Sequence, residues 1–225
     1  MAMKHPQVIP PPPSAVTRTR PGAVLLAAVG ALFVLYPAVR PWGDESTPAG
    51  AVAAMGSTAW VTSHLFAMIG FVLLPLGLLA LRRAVDGTPG QRPAVAALLT
   101  GWIGAGLVLP YYGAEDFGLN ALAREAAEGQ PFDLLAVVEA VRFGPAAVST
   151  FGIGLLALGV GAILAALAVW RSGTLARYSG IPFALGFALF LPQFFTPAAV
   201  RITHGVLVGI GSAWLAWELW RAETR

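Results

Sequence analysis

Two histidines, two adjacent carboxylates and an arginine are the groups in this chain best suited to chemistry. Glu115 and Asp116 follow Tyr111, Tyr112 and a glycine at the end of an apolar run, within LVLPYYGAEDFGLNALA over 107–123. His64 stands four residues after Trp60, with Ser63 beside it, and His204 stands three residues after Arg201. On a helix a three-residue step keeps Arg201 and His204 on one face. A histidine within reach of a carboxylate can act as general acid and base. The same residue types suit zinc, and two histidines on different helices could ligate haem axially. No H-E-x-x-H spacing is present, so the pattern selects neither metal nor cofactor. The absence of cysteine excludes disulfides, thiolate metal sites and c-type haem attachment.

What positions these groups is a membrane-type chain. Of its 225 residues, 57% are hydrophobic and only 11% charged, and the mean hydropathy is +0.73. A soluble domain carries about 25% charged residues, so the deficit points to lipid as solvent. Most of the 26 glycines and 18 prolines fall inside apolar runs, as in membrane helices. The fold class expected is all-α: a polytopic membrane helical bundle of six transmembrane helices.

Residues 1–20 are basic and polar with Pro10–Pro13, a composition that favours polyproline II and buries nothing; a disordered cytoplasmic tail is expected. A single six-helix domain then occupies 21–221, with a short tail over 222–225. The first apolar run, Gly22–Val39, exceeds a signal-peptide core and reads as an uncleaved helix. The remaining spans are expected at Ala51–Leu81, Pro93–Tyr112, Pro145–Trp170, Ser179–Phe195 and Ala199–Trp220. Between the third and fourth, Leu119–Ala127 and Asp133–Arg142 read as one or two short helices on the membrane surface; in the second, Leu134, Leu135, Val137, Val138 and Val141 make an apolar stripe.

Six spans put both termini on one side, together with ten of the fourteen Lys and Arg residues. Cytoplasmic loops carry the basic excess, so both termini are expected in the cytoplasm and the protein in the plasma (inner) membrane. Arg40, Arg124, Arg142 and Arg201 stay outside with eight of the eleven acids. The pI of about 9.8 then reflects attraction to anionic inner lipid. No nucleic-acid-binding module is visible.

Helix direction brings His64, Glu115, Asp116 and His204 to one outer level, where they form the candidate catalytic set. Roughly 6 Å of helix rise separates His64 from Trp60 and about 4–5 Å separates His204 from Arg201. Ser63, Tyr111, Tyr112, Arg142, Gln193 and Arg201 stand at the same level as candidate ligand-binding residues. Ionisable groups inside a bilayer usually face the bundle interior or a water-filled cavity, which implies a polar cavity open to the outside. HLFAMIGFVLLPLGLLAL over 64–81, with the Tyr-Tyr-Gly-Ala-Glu element after it, resembles small, uncharacterised multi-pass bacterial membrane proteins. The resemblance implies a six-helix membrane protein and brings no catalytic role with it.

The function this pattern supports first is binding or sensing of a small or lipid-like ligand by a bilayer-embedded protein. A membrane-embedded enzyme using a His/carboxylate or metal site on a lipid or isoprenoid substrate is the alternative. A small transporter comes third, because that function wants polar groups near the midplane and a repeat. Whether the chain is an enzyme, and its oligomeric state, stay open at this point.

Overall fold

The structure is a computed structural model that describes residues 18–223. All but the last few residues of the expected proline-rich tail lie outside the described residues. The regular structure among the described residues is helical throughout. α1 (Arg20–Val39), α2 (Pro48–Met55), α3 (Thr58–Ala84) and α4 (Gln91–Gly113) come first. A π turn (Ala114–Gly118), α5 (Leu119–Ala127), α6 (Leu134–Phe143) and α7 (Pro145–Ser172) follow. Two short helices, α8 (Ile181–Ala188) and α9 (Phe190–Gln193), precede α10 (Ala198–Ala222). Five helical stretches are long and apolar enough to cross a membrane: Arg20–Val39, Thr58–Ala84, Gln91–Ala127, Pro145–Ser172 and Ala198–Ala222.

The second expected span is two helices. Thr47 caps α2 by accepting the N–H of Gly50, with Pro48 in the first turn. Gly56 ends α2, and the Ser57 hydroxyl then caps α3 by accepting the N–H of Trp60 at 3.1 Å. A serine oxygen satisfies one of the free amides at a helix start, so a helix begins there rather than passing through. The third span departs in the other direction. Gly113 does not end it, and the helix runs unbroken for 37 residues through the π turn into α5. The fifth expected span, Ser179–Phe195, is the pair α8 and α9, each too short to be counted as a span by length.

Two ends of the bundle can be told apart. At one, the Thr19 hydroxyl donates to the Leu219 carbonyl at 2.7 Å. The Glu223 carboxylate there accepts the N–H groups of Thr19 and Arg20, both at 2.8 Å. Those amides are among the orphan donors of the start of α1, so the last turn of α10 caps the first turn of α1. The start of α1 also lies against the end of α3, where Gly22 meets Ala80, and the start of α4 lies against the end of α7, where Gly90 meets Ala168. This is the terminal end. The opposite end carries Arg40, Glu45, Glu115, Arg142 and Arg201, and is called the charged end below.

The short pair α8–α9 runs between these ends alongside α7. Gly180 packs on Ala166 and Gly159 on Ala188, while the rings of Phe151 and Phe194 meet at 5.5 Å. Its other flank lies on α10, where Gly211 faces the backbone of Phe183 and Gly186 faces Val208. Any side chain at Gly211 would overlap that backbone, so glycine is what permits the close approach. The centre is aromatic: Phe33 meets Phe71, Phe187 and Phe190 edge-on with centroids 4.9, 5.6 and 5.4 Å away, a favoured geometry for ring pairs.

Candidate functional site

At the charged end four groups of alternating sign form a ladder. Arg40, just past α1, donates from Nη2 to Glu45 Oε1 at 2.6 Å. Glu45, in the loop before α2, pairs through Oε2 with Arg142 Nη1 at 2.9 Å. Arg142, in the last turn of α6, makes a two-pronged contact with Glu115: Nε to Oε1 at 2.6 Å and Nη2 to Oε2 at 2.9 Å. Such paired N–H donors match carboxylate geometry and are among the stronger protein hydrogen bonds. Burial alone would lower the Arg142 pKa, but the hydrogen bonds and charges of Glu115 and Glu45 outweigh it and hold it above the usual guanidinium range. Trp60 closes the ladder from below, donating from Nε1 to the Glu115 carbonyl at 2.8 Å. The Arg40 guanidinium lies over its ring at 4.9 Å.

The Glu-Asp pair lies in the π turn with both neighbours inside. Successive residues on an α-helix point about 100° apart, yet Glu115 and Asp116 are both buried. They meet different fates. Glu115 is fully engaged, whereas Asp116 is 0% exposed and neither of its oxygens has a hydrogen-bond partner among the described residues.

The histidines do not pair with these carboxylates. His64 is buried, and Nδ1 donates to the Trp60 carbonyl at 2.8 Å. The same carbonyl accepts the Ser63 hydroxyl at 2.8 Å. His204 donates from Nε2 to the Gly186 carbonyl at 2.7 Å. In each ring the donated bond leaves the other nitrogen as acceptor in the neutral form. His64 is enclosed by Trp60, Tyr36 and Tyr112, with centroids at 4.4, 5.6 and 5.9 Å. The candidate catalytic residues thus have different partners: Glu115 is held in the salt ladder, His64 in an aromatic box and His204 in a crevice, with Tyr36 bordering the last two. Among the described residues no three of His, Asp and Glu gather as metal ligands.

That crevice lies between α1, α9 and α10. Tyr36, Trp42, Gln193, Arg201 and His204 supply its polar or amphipathic lining, with Phe33 and Phe190 beneath. Its free volume is about 10 Å³, room for about one water. Pro37 shapes it. A proline inside α1 removes the amide that would bond the Phe33 carbonyl, and Gly205 of α10 packs directly against that carbonyl and the proline ring. The Pro37 carbonyl in turn accepts Trp42 Nε1 at 2.8 Å, which holds the indole over the opening. Arg201 donates from Nε to Gln193 Oε1 at 3.1 Å. Its guanidinium lies against the rings of Trp42 and Phe194, at 4.8 and 5.0 Å.

The two tyrosines part company. Tyr112 is buried, its ring near Tyr36, Phe71 and Phe151. Tyr111 stacks on Phe151 at 4.0 Å and lines a different hollow of about 260 Å³ between α4, α6 and α7, whose walls are mostly apolar. Ser63, fully buried with its hydroxyl spent on Trp60, faces no opening. Sequence reasoning missed Tyr36, Arg40, Trp42 and Glu45. Arg40 and Glu45 bracket a turn of four residues, and matching the four outer bases to outer acids would have flagged them.

Compared with family models, with curated proteins and with solved structures, the chain matches none.

Proposed function

We propose that this chain is a six-crossing plasma-membrane protein with both termini in the cytoplasm, whose charged end faces outside and binds a small or lipid-like ligand. Six crossings are supported by the course of α8–α9 between α7 and α10 and by the junction of Thr19 with Glu223. The orientation rests on the basic excess that six crossings collect on one side. The resemblance of segments 64–81 and 107–123, in the second and third expected spans, to small multi-pass bacterial membrane proteins fits the same reading.

The observation that carries binding over catalysis is the partnering of the histidines. Acid–base work wants a histidine poised on a carboxylate or on open substrate space. Here His64 is tied to a backbone carbonyl inside an aromatic box, and His204 to another at the floor of a crevice. The crevice lining instead offers Trp42, Gln193 and Arg201, groups that hold a ligand without transforming it. Photo-crosslinking tests this. A photoreactive amino acid at Trp42 captures a non-protein adduct, whereas the same amino acid at Phe132, away from the crevice, does not. Equal capture at both positions, or none at Trp42, would remove the reading.

A further inference from the structure

We infer that the ligand of this crevice presents an oxyanion, a phosphate or carboxylate, which Arg201 takes through the guanidinium edge that no group among the described residues uses; the inference rests on the binding function proposed above. The pairing of the arginines at this end leads to it. Arg40 and Arg142 are neutralised by Glu45 and Glu115 in the ladder. Arg201 stands beside that ladder, and no carboxylate pairs with it among the described residues. Asp116, a further buried carboxylate at this end, makes no hydrogen bond to it or to any other group among the described residues. The ladder is closed on itself, which leaves Arg201 without a carboxylate partner among the described residues.

The way Arg201 is held adds geometry to charge. Gln193 fixes Nε at 3.1 Å, and Trp42 and Phe194 set the plane of the guanidinium by contact with their faces. The Nη atoms carry the remaining donors, and no hydrogen bond among the described residues uses them. A flat, oriented pair of N–H donors is the arrangement that recognises a phosphate or carboxylate in two-pronged fashion. A lone cation half-buried among rings is costly unless a counter-ion completes it. The crevice behind it holds about one water, so the oxyanion sits at the mouth, on the Nη edge, with the rest of the ligand outside the bundle. Two sources present this chemistry: the headgroup of an anionic lipid, or free phosphate from solution.

The test uses the full chain purified in detergent. One arm adds inorganic phosphate and reads thermal protection. The other reconstitutes the protein with phosphatidylcholine, with or without phosphatidylglycerol, and reads retained lipid by native mass spectrometry. A lipid source gives selective retention of phosphatidylglycerol with little phosphate protection; a free anion gives the reverse. Either supports the inference if Arg201→Gln weakens binding by about tenfold to a hundredfold, the worth of a charged hydrogen bond. Should Arg201→Gln fail to fold, Gln193→Glu keeps the arginine and its packing but supplies a carboxylate at the Nε contact, and it produces the same loss. Preference for a neutral molecule, with both variants binding as the wild type does, overturns the oxyanion and leaves the binding function standing. No response to phosphate, no retained lipid and no adduct at Trp42 overturns both.

Discussion

Replacing Arg142 with methionine isolates the energetics of the salt ladder. The substitution keeps the aliphatic stem and removes the guanidinium. Glu115 then loses both its hydrogen bonds, at 2.6 and 2.9 Å, and is left 6% exposed with no cation beside it. Glu45 loses one partner but keeps Arg40 at 2.6 Å. Breaking a buried pair from one side costs about 3–5 kcal/mol, because the remaining charge is stranded, whereas an exposed pair is worth about 0–1 kcal/mol. The side chains of Glu115 and Arg142 are 8% and 17% exposed, which places this pair nearer the buried class than the exposed one. Arg142→Met is therefore expected to destabilise by about 3–5 kcal/mol. The double variant Arg142→Met with Glu115→Leu should recover most of that loss, since an apolar pair strands nothing. The assay is reversible unfolding of the purified protein in mixed micelles, read by tryptophan fluorescence and arranged as a double-mutant cycle. A cost under about 1 kcal/mol for Arg142→Met, or a double variant worse than either single one, would refute the reasoning.

Three further outcomes are expected. Glu115→Gln lowers the melting temperature while its neighbour Asp116→Asn leaves it unchanged or raises it, because the first carboxylate is paired and the second has no partner; equal losses in both would contradict the site description. Gly211→Ala forces α8 away from α10 at Phe183 and should cost about 1–3 kcal/mol in the same unfolding assay, so a neutral result would misplace the short helices. At the terminal end, backbone bonds from Arg20 and Thr19 hold the Glu223 carboxyl below the usual range. The stability this contributes is therefore fully present above the ordinary carboxylate value and lost as pH falls through the depressed one. A stability difference between wild type and Glu223→Gln should shrink on acidification, and one that grows would count against the clasp.

Much of the helical layout was legible because lipid-sized apolar runs are long, and Arg82–Arg83 and Arg171 mark their ends. The errors fall where local capping competes with hydropathy. Ser57 cuts the second run because its side chain satisfies an amide, although the flanking Ala, Val and Met residues read as one stretch. Gly113 looked like a stop, but the chain absorbs an extra residue in a π turn and continues. Pro182 and Pro192 lie within the fifth expected span, and the structure splits that stretch at Leu189. For the site, depth along each helix was readable from rise per residue, but rotation about the helix was not. Glu115 and Arg142 come together from elements 27 residues apart. His64 turns to a carbonyl on its own helix, a bond that leaves no trace in spacing. Arg40 and Glu45 passed for solvated loop residues because pairing across loops depends on how the loops fold back.

The central claim is that the charged end faces outside and its crevice is open there. Because the chain has no cysteine, single cysteines can be introduced without a background. Gly43 lies next to Trp42 with open space around it, and Asp86 lies in the loop between α3 and α4 on the terminal side. In intact cells a membrane-impermeant maleimide should label Gly43→Cys promptly and Asp86→Cys only after permeabilisation. Labelling of Asp86→Cys in intact cells, with Gly43→Cys protected until the membrane is opened, would contradict the account.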